Sequence, residues 1–209
     1  MKVCPGAARS AGLVLVAAAA LGLTGCLYRG GAHDLDPGRL AREPGWIAVH
    51  GVPERLQKSE QDCGAAVISM VLTYWGVPTT IDDVLRIYPV TKKHGLKAGD
   101  LREYARRRGL VAFVFRGDLD DLERELGHGR PVVVGVVKPY VGVKAPHYEV
   151  VVGYNPSRGL VATLDPGRGW RQNTVKGFLA EWDRSQRLVL LVLRPATMSQ
   201  APPRPQPPR

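Results

Sequence analysis

Gln57-Lys-Ser-Glu-Gln61-Asp62-Cys63-Gly64-Ala-Ala-Val67-Ile-Ser-Met70-Val71-Leu-Thr-Tyr74-Trp-Gly76 is the stretch on which the fold turns. Asp62 is a good N-cap residue, Cys63, Val67, Met70, Val71 and Tyr74 recur at helical spacing, and Gly76 supplies a stop. The pattern predicts a helix with Cys63 in its first turn. Backbone N–H groups without a partner inside the helix, and the positive end of its dipole, favour an anion there and hence a nucleophilic sulfur. A buried structural cysteine occupies the same kind of position, so the weight falls on residues elsewhere that could serve the thiol.

Around this helix, 209 residues with 44% hydrophobic and 23% charged side chains have room for one domain with a real core. The formal charge of +10 is scattered. Arg106 to Arg108 and Lys92 with Lys93 form its runs, without the aromatic interleaving of a nucleic-acid platform, so nucleic acid is not an expected partner. An anionic membrane surface is compatible with the charge.

The three cysteines fall into different contexts. Residues 1–25 have a basic start, an Ala-rich apolar run from Leu13 to Leu23 and the small-residue end Thr24-Gly25, the pattern of a secretory signal. Leu23-Thr24-Gly25-Cys26 resembles the lipobox of bacterial lipoproteins, which implies acylation of Cys26 as the new N-terminus. Leu27, rather than Asp, follows the cysteine, which resembles outer-membrane sorting in Gram-negative lipoproteins. Cys4 leaves with the signal segment. Cys63 then remains as a single thiol in an oxidising compartment, with no intramolecular partner for a disulfide.

Residues 26–45 read as a tether rich in Gly, Pro and Arg, and Trp46-Ile-Ala-Val49 as a short strand opening a domain over 46–194. After the Cys63 helix, Thr80-Ile-Asp-Asp83 is a capping-box pattern for a helix to about Ile87, and Lys92 to Gly99 reads as a loop. Leu101, Tyr104, Ala105 and Arg108 share a helical face that ends at Gly109. Val111 to Phe115 is strand-like, and Asp118-Leu-Asp-Asp121 opens a helix ending near Gly127. The second half changes period. Pro131 leads into the apolar run Val132 to Val137, followed by an expected loop over Lys138 to Pro146. His147 to Tyr154 should pair with Leu160 to Asp165 across Asn155-Pro-Ser-Arg-Gly159; Thr174 to Trp182 reads as a helix and Arg187 to Leu193 as a strand. In residues 195–209, six of fifteen are proline, the composition of an extended, disordered tail. Helices first and an antiparallel sheet afterwards make an α+β fold.

A cysteine nucleophile needs a base, a group that orients the base, and donors for the oxyanion. His147 begins one predicted strand and Asp165 ends the next, so antiparallel pairing can join imidazole and carboxylate and leave the second ring nitrogen for Cys63. Gln57 and Gln61 both precede the nucleophile and compete as side-chain oxyanion donors. Zinc binding by Cys63, His147 and Asp165 lacks close-spaced ligand pairs, so neither metal nor cofactor is expected. His33, His50, His94 and His128 have no patterned partners.

Gln57, Asp62-Cys63-Gly64-Ala65-Ala66, His147-Tyr148 with Val150-Val151, and Asp165-Pro166 resemble, in order and spacing, the bacteriocin-processing double-glycine leader peptidases, whose fold is papain-like. The resemblance covers about Val52 to Leu193. It implies Cys63 as nucleophile, His147 as base, Asp165 as its orienter and Gln57, rather than Gln61, as oxyanion donor. It also implies small residues before the scissile bond. Familiar members are parts of peptide-exporting transporters, whereas these 209 residues contain no Gly-Lys-Ser/Thr phosphate loop, so the likeness is to stand-alone lipoprotein members. The expectation is a cysteine peptidase acting on a peptide or protein, anchored by lipid in the bacterial cell envelope, at the outer membrane facing the periplasm. A cell-wall amidase or acyl transferase with the same triad, and a non-catalytic peptide-binding module, are the competing readings.

Overall fold

The structure, a computed structural model, describes residues 28–91 and 94–195. The expected signal segment, Cys26 and the proline-rich stretch from residue 196 lie outside the described residues, as do Lys92 and Lys93.

The apolar run behind Asp62 forms helix α2, Cys63–Tyr74, preceded by β1 (His33–Asp34), α1 (Arg39–Arg42) and β2 (Ile47–Ala48). Its end is set by Gly76 at φ +78°, where the Gly76 N–H donates to Thr73 O and the Val77 N–H to Leu72 O. The sequence pattern singles out one apolar face, yet Cys63 to Leu72 and Tyr74 are all buried. The reason is packing on several sides: α2 rests on strand β5 (Val143–Asn155) and is flanked by α3 (Ile81–Ile87) and α4 (Ala98–Arg107). A helix apolar all round belongs at the centre of a core.

The capping boxes sit where the sequence puts them. Thr80 caps α3 through the Asp83 N–H, and Asp118 caps α5 (Leu119–Gly127) through the Asp121 N–H, each with the reciprocal side-chain bond. Between α4 and α5 runs β3, Val111–Arg116.

The remaining strands are β4 (Val132–Tyr140), β6 (Leu160–Asp165), β7 (Gly169–Thr174) and β8 (Leu188–Leu193), with α6 (Val175–Trp182) between the last two. The described strands form one antiparallel sheet in the order β1-β7-β6-β5-β4-β8-β3, with β2 also pairing β5. Consecutive residues Val132, Val133 and Val134 are all buried, so β4 is covered on both faces, as its continuous apolar run requires. No helix among the described residues is long and apolar enough to cross a membrane.

Three expectations need correction. First, the stretch expected as a tether is docked from Tyr28 onward: β1 pairs β7, Leu35 and Leu40 are buried, and Trp46 and Leu40 pack over Gly153, where a Cβ would lie 3.2 and 3.3 Å from them. Two-residue strands carry no periodicity of their own and exist through their partners.

Second, Lys138 to Pro146 is the far end of the β4–β5 hairpin, so His147 stands within β5 and not at its start. Pro139 O accepts from the Arg29 N–H, which places the Pro139 backbone on the side of β4 away from β5; Pro146, opposite Val137, has the same parity. Neither proline therefore interrupts the ladder between the two strands. Third, β7 was not expected, since Gly169-Trp-Arg-Gln-Asn-Thr174 lacks the apolar alternation of a strand.

Candidate active site

The β5–β6 hairpin shows the expected pairing, with Val150 opposite Leu164 and Tyr154 opposite Val161, and a bulge at Val152 between them. This brings His147 Nε2 to 2.8 Å from Asp165 Oδ1. Asp165 ends β6 in a turn that closes back through its pairing with Gly169, and its Oδ1 also accepts from the Gly167 N–H at 2.7 Å. An ionised carboxylate can only accept, so Nε2 carries the ring proton and Nδ1 is left for another partner. Cys63 is the other side chain, besides Asp165, that interacts with the imidazole. Cys63 is the free cysteine among the described residues and is 7% exposed.

Burial alone would push the His147 imidazolium down. Hydrogen bonds to Asp165 and Cys63, and their charges, outweigh it and push the group up to about 10. Asp165 shows the opposite balance: burial would raise it, but the bond to His147, the charges of His147 and Lys138 and the Gly167 N–H hold it below the usual carboxylate range. The pair is thus ionised through neutral pH. Such an arrangement can draw a proton from the thiol and return it to a leaving group.

Asp62 stands at the N-cap position of α2 but does not cap it with its side chain. Its carboxylate accepts from the Ser59 N–H at 3.1 Å, closing the turn ahead of the helix. That first turn is where a developing oxyanion would meet backbone donors. Gln57 lies in the segment ahead of that turn. Its backbone N–H donates to Pro166 O at 2.8 Å, which ties the segment before α2 to the turn holding Asp165. Its Nε2 donates to Ser59 O at 2.8 Å, and an amide nitrogen carries a second hydrogen beyond that bond. A Cβ at Gly167 would lie 3.3 Å from Asp165 Oδ1 and 3.8 Å from Gln57 Oε1, so the Gln57 side chain flanks the Asp165 turn. The backbone of Gln61 instead faces Gly95, where a Cβ would stand 3.0 Å from the Gln61 carbonyl oxygen.

Four residues near the site were not singled out by the sequence: Lys138, Glu149, Glu181 and Tyr28. The signal for two of them was present, since Lys138 directly follows a valine run and Glu149 interrupts an apolar strand. Lys138 Nζ is paired with Glu149, lies 3.1 Å from Glu181 Oε2 and 3.7 Å from Asp165 Oδ2, and is 3% exposed. His147, Glu149 and Asp165 offer ligand atoms within 4.8 Å of one another. The Lys138 ammonium already lies against two of these three, so a metal cation there would meet a like charge.

The Peptidase C39 family model matches residues 52–196. Over 127 residues the chain is 30% identical to the lactococcin transport/processing ATP-binding protein LcnC-like of Lactococcus lactis subsp. lactis (strain IL1403). It is 29% identical over 126 residues to the lactococcin-G-processing and transport ATP-binding protein LagD of Lactococcus lactis subsp. lactis. Each match covers 60% of this chain and 17% of the relative's length. Among solved structures, the peptidase domain of Streptococcus ComA, a bi-functional ABC transporter, superposes with a TM-score of 0.59 at 22% identity, covering 69% of this chain and all (100%) of that domain. A C39-like peptidase from Bacillus anthracis gives a TM-score of 0.61 at 15% identity over 72% of this chain and 98% of its own. A double glycine motif protease from an AMS/PCAT transporter, solved with its leader peptide, gives 0.58 at 21% over 71% and 95%.

Proposed function

The chain belongs to the Peptidase C39 family of papain-like cysteine peptidases, and from that premise we propose that it hydrolyses peptide bonds through Cys63, His147 and Asp165, with Gln57 as oxyanion donor. The observation that carries this reading is the bond of 2.8 Å between His147 and Asp165, with Cys63, in the first turn of a buried helix, as the other side chain that interacts with His147. The Cys63 thiolate attacks the peptide carbonyl, and the C=O electron pair moves onto oxygen, held by backbone amides of the α2 first turn and by Gln57 Nε2–H. The imidazolium of His147 gives its Nδ1 proton to the leaving amine, and the C–N bond breaks. Water, deprotonated by the same nitrogen, then attacks the thioester, releasing the acid and restoring the thiolate. Asp165 keeps the proton of Nε2 in place throughout.

A peptide substrate accords with the neighbour solved with a leader peptide. We place Gly or Ala on the acyl side of the scissile bond. Profiling a randomised peptide library, with Cys63→Ala as the blank, should enrich those residues; enrichment of bulky residues there refutes the preference.

Gln57 and Gln61 are separable. Gln57→Ala should lower kcat by roughly 10²- to 10³-fold, the usual loss for one oxyanion donor, while alkylation of Cys63 continues nearly unchanged. Should Gln61→Ala be the damaging change, the assignment of the donor is wrong.

We further propose lipid attachment at Cys26, which would hold the domain at the outer membrane facing the periplasm. Multiple acyl chains give stable anchoring. Cys26→Ser should move the protein from the detergent phase to the aqueous phase or leave it unprocessed, and normal processing with unchanged partitioning speaks against the anchor.

A further inference from the structure

Beside the His147–Asp165 pair lies a buried cluster that takes no part in the proposed proton transfers. Three carboxylates from three elements converge on it: Glu149 of β5, Asp165 at the end of β6 and Glu181 of α6, exposed by 3%, 5% and 4%. Between them stands the ammonium of Lys138, from β4, paired with Glu149, 3.1 Å from Glu181 and 3.7 Å from Asp165 Oδ2. The register puts Lys138, His147 and Glu149 on one face of the β4–β5 ladder, since Lys138 lies opposite Ala145, Val136 opposite His147 and Val134 opposite Glu149. Tyr28 closes the cluster from outside: its hydroxyl donates to Glu181 Oε1, and its ring lies 5.4 Å from Lys138 Nζ.

Taking four ionisable groups out of water is costly, and a pair of apolar side chains would fill the space more cheaply. What this arrangement does achieve is visible at Asp165. One of its oxygens serves His147 and the Gly167 N–H, and the other faces Lys138. Without the cation, Asp165 would share its pocket with two further carboxylates, whose charges favour uptake of a proton there; a proton taken by Asp165 itself would weaken it as the acceptor for His147.

We propose that Lys138, bracketed by Glu149 and Glu181, is a positioning residue for the hydrolysis assigned above: its ammonium holds Oδ2 of Asp165 so that Oδ1 is presented to His147 as an ionised acceptor. This rests on the Cys63–His147–Asp165 reading. The balance of charge agrees. Burial would push Lys138 down, but Glu149, Glu181 and Asp165 hold it well above the usual lysine range, and Lys138 is among the groups that keep Asp165 low. Burial holds Glu149 above the usual carboxylate range despite Lys138. The other ionisable groups facing the cluster are accounted for. Tyr28 is held on Glu181, Arg171 of β7 is paired with Asp34 and the Ala32 carbonyl, and Arg168 and Tyr140 line the small cavity on its outer side.

Lys138→Met alone would leave three carboxylates facing one another. The test therefore uses the full chain carrying K138M/E149Q and, in parallel, K138M/E181Q, each of which removes one anion with the cation, so that loss of fold in one still leaves the other. Thermal melting establishes which variants fold. In a folded variant we expect KM within about 2-fold of the parent and kcat lower by roughly 10- to 100-fold, the scale of a misplaced catalytic group. The low-field proton resonance of His147 Nε2–H, bonded to Asp165 in the parent, should be lost or shifted upfield. A folded variant that retains kcat and that resonance overturns the proposal, because a lysine serving stability alone leaves both unchanged. Asp165→Asn is measured beside them: if it too retains full kcat, the triad reading has failed, and the role of Lys138 falls with it by a distinguishable route.

Discussion

Cys63→Ala is expected to lower kcat for peptide cleavage by roughly 10⁴- to 10⁶-fold, to the residual rate that binding and oxyanion donors sustain without a nucleophile. Two features make the effect this large. Cys63 is the free cysteine among the described residues, so no second described thiol stands near His147. The acyl-enzyme route also loses its first bond-forming step, which the remaining groups cannot replace. The substitution removes one buried sulfur from a helix whose next residues are Gly64, Ala65 and Ala66, all buried, so the fold should survive. Initial rates at saturating peptide, with thermal melting as the control, make the measurement. Retention of more than about one per cent of the parental kcat in a folded Cys63→Ala protein contradicts the assignment.

Asp165→Asn should cost about 10²- to 10⁴-fold in kcat/KM at neutral pH and also change the shape of the pH profile. An asparagine can turn its NH₂ toward His147 Nε2. The ring proton then moves to Nδ1, where it can no longer receive one from Cys63. The sign of the pH effect follows from the causes of the His147 shift. Burial pushes the imidazolium down, whereas the bond to Asp165 and its charge help raise it to about 10 from an ordinary 6.5. With the charge gone and the burial kept, the imidazolium is lost at lower pH, so the alkaline limb of kcat/KM moves toward acid. A variant with parental activity and an unmoved alkaline limb would show that Asp165 does not orient the base.

The parts of the molecule legible in the sequence are those with local causes. Gly76, the capping boxes at Thr80 and Asp118, and the Val132–Val137 run each specify their structure within a few residues, and the structure follows them. The juxtaposition of His147 and Asp165 was legible because one hairpin with a turn at Asn155–Gly159 determines it. What was not legible depends on partners remote in sequence. The docking of residues 28–45 exists through β7, β5 and Glu181, and β7 is stabilised by β6 and β1 despite its polar composition. Pro139 and Pro146 argue for a loop until their backbone side in the ladder is known. The Lys138 cluster joins residues of β4, β5, β6 and α6, and no spacing rule connects them.

The most direct test is to quench the reaction with acid during turnover of a peptide bearing Gly on the acyl side and to weigh the intact protein. The account predicts a mass increase equal to the acyl portion of the peptide, mapped to Cys63 after digestion and absent from Cys63→Ala. Cleavage that proceeds with no adduct at Cys63, and equally well in Cys63→Ala, would contradict it.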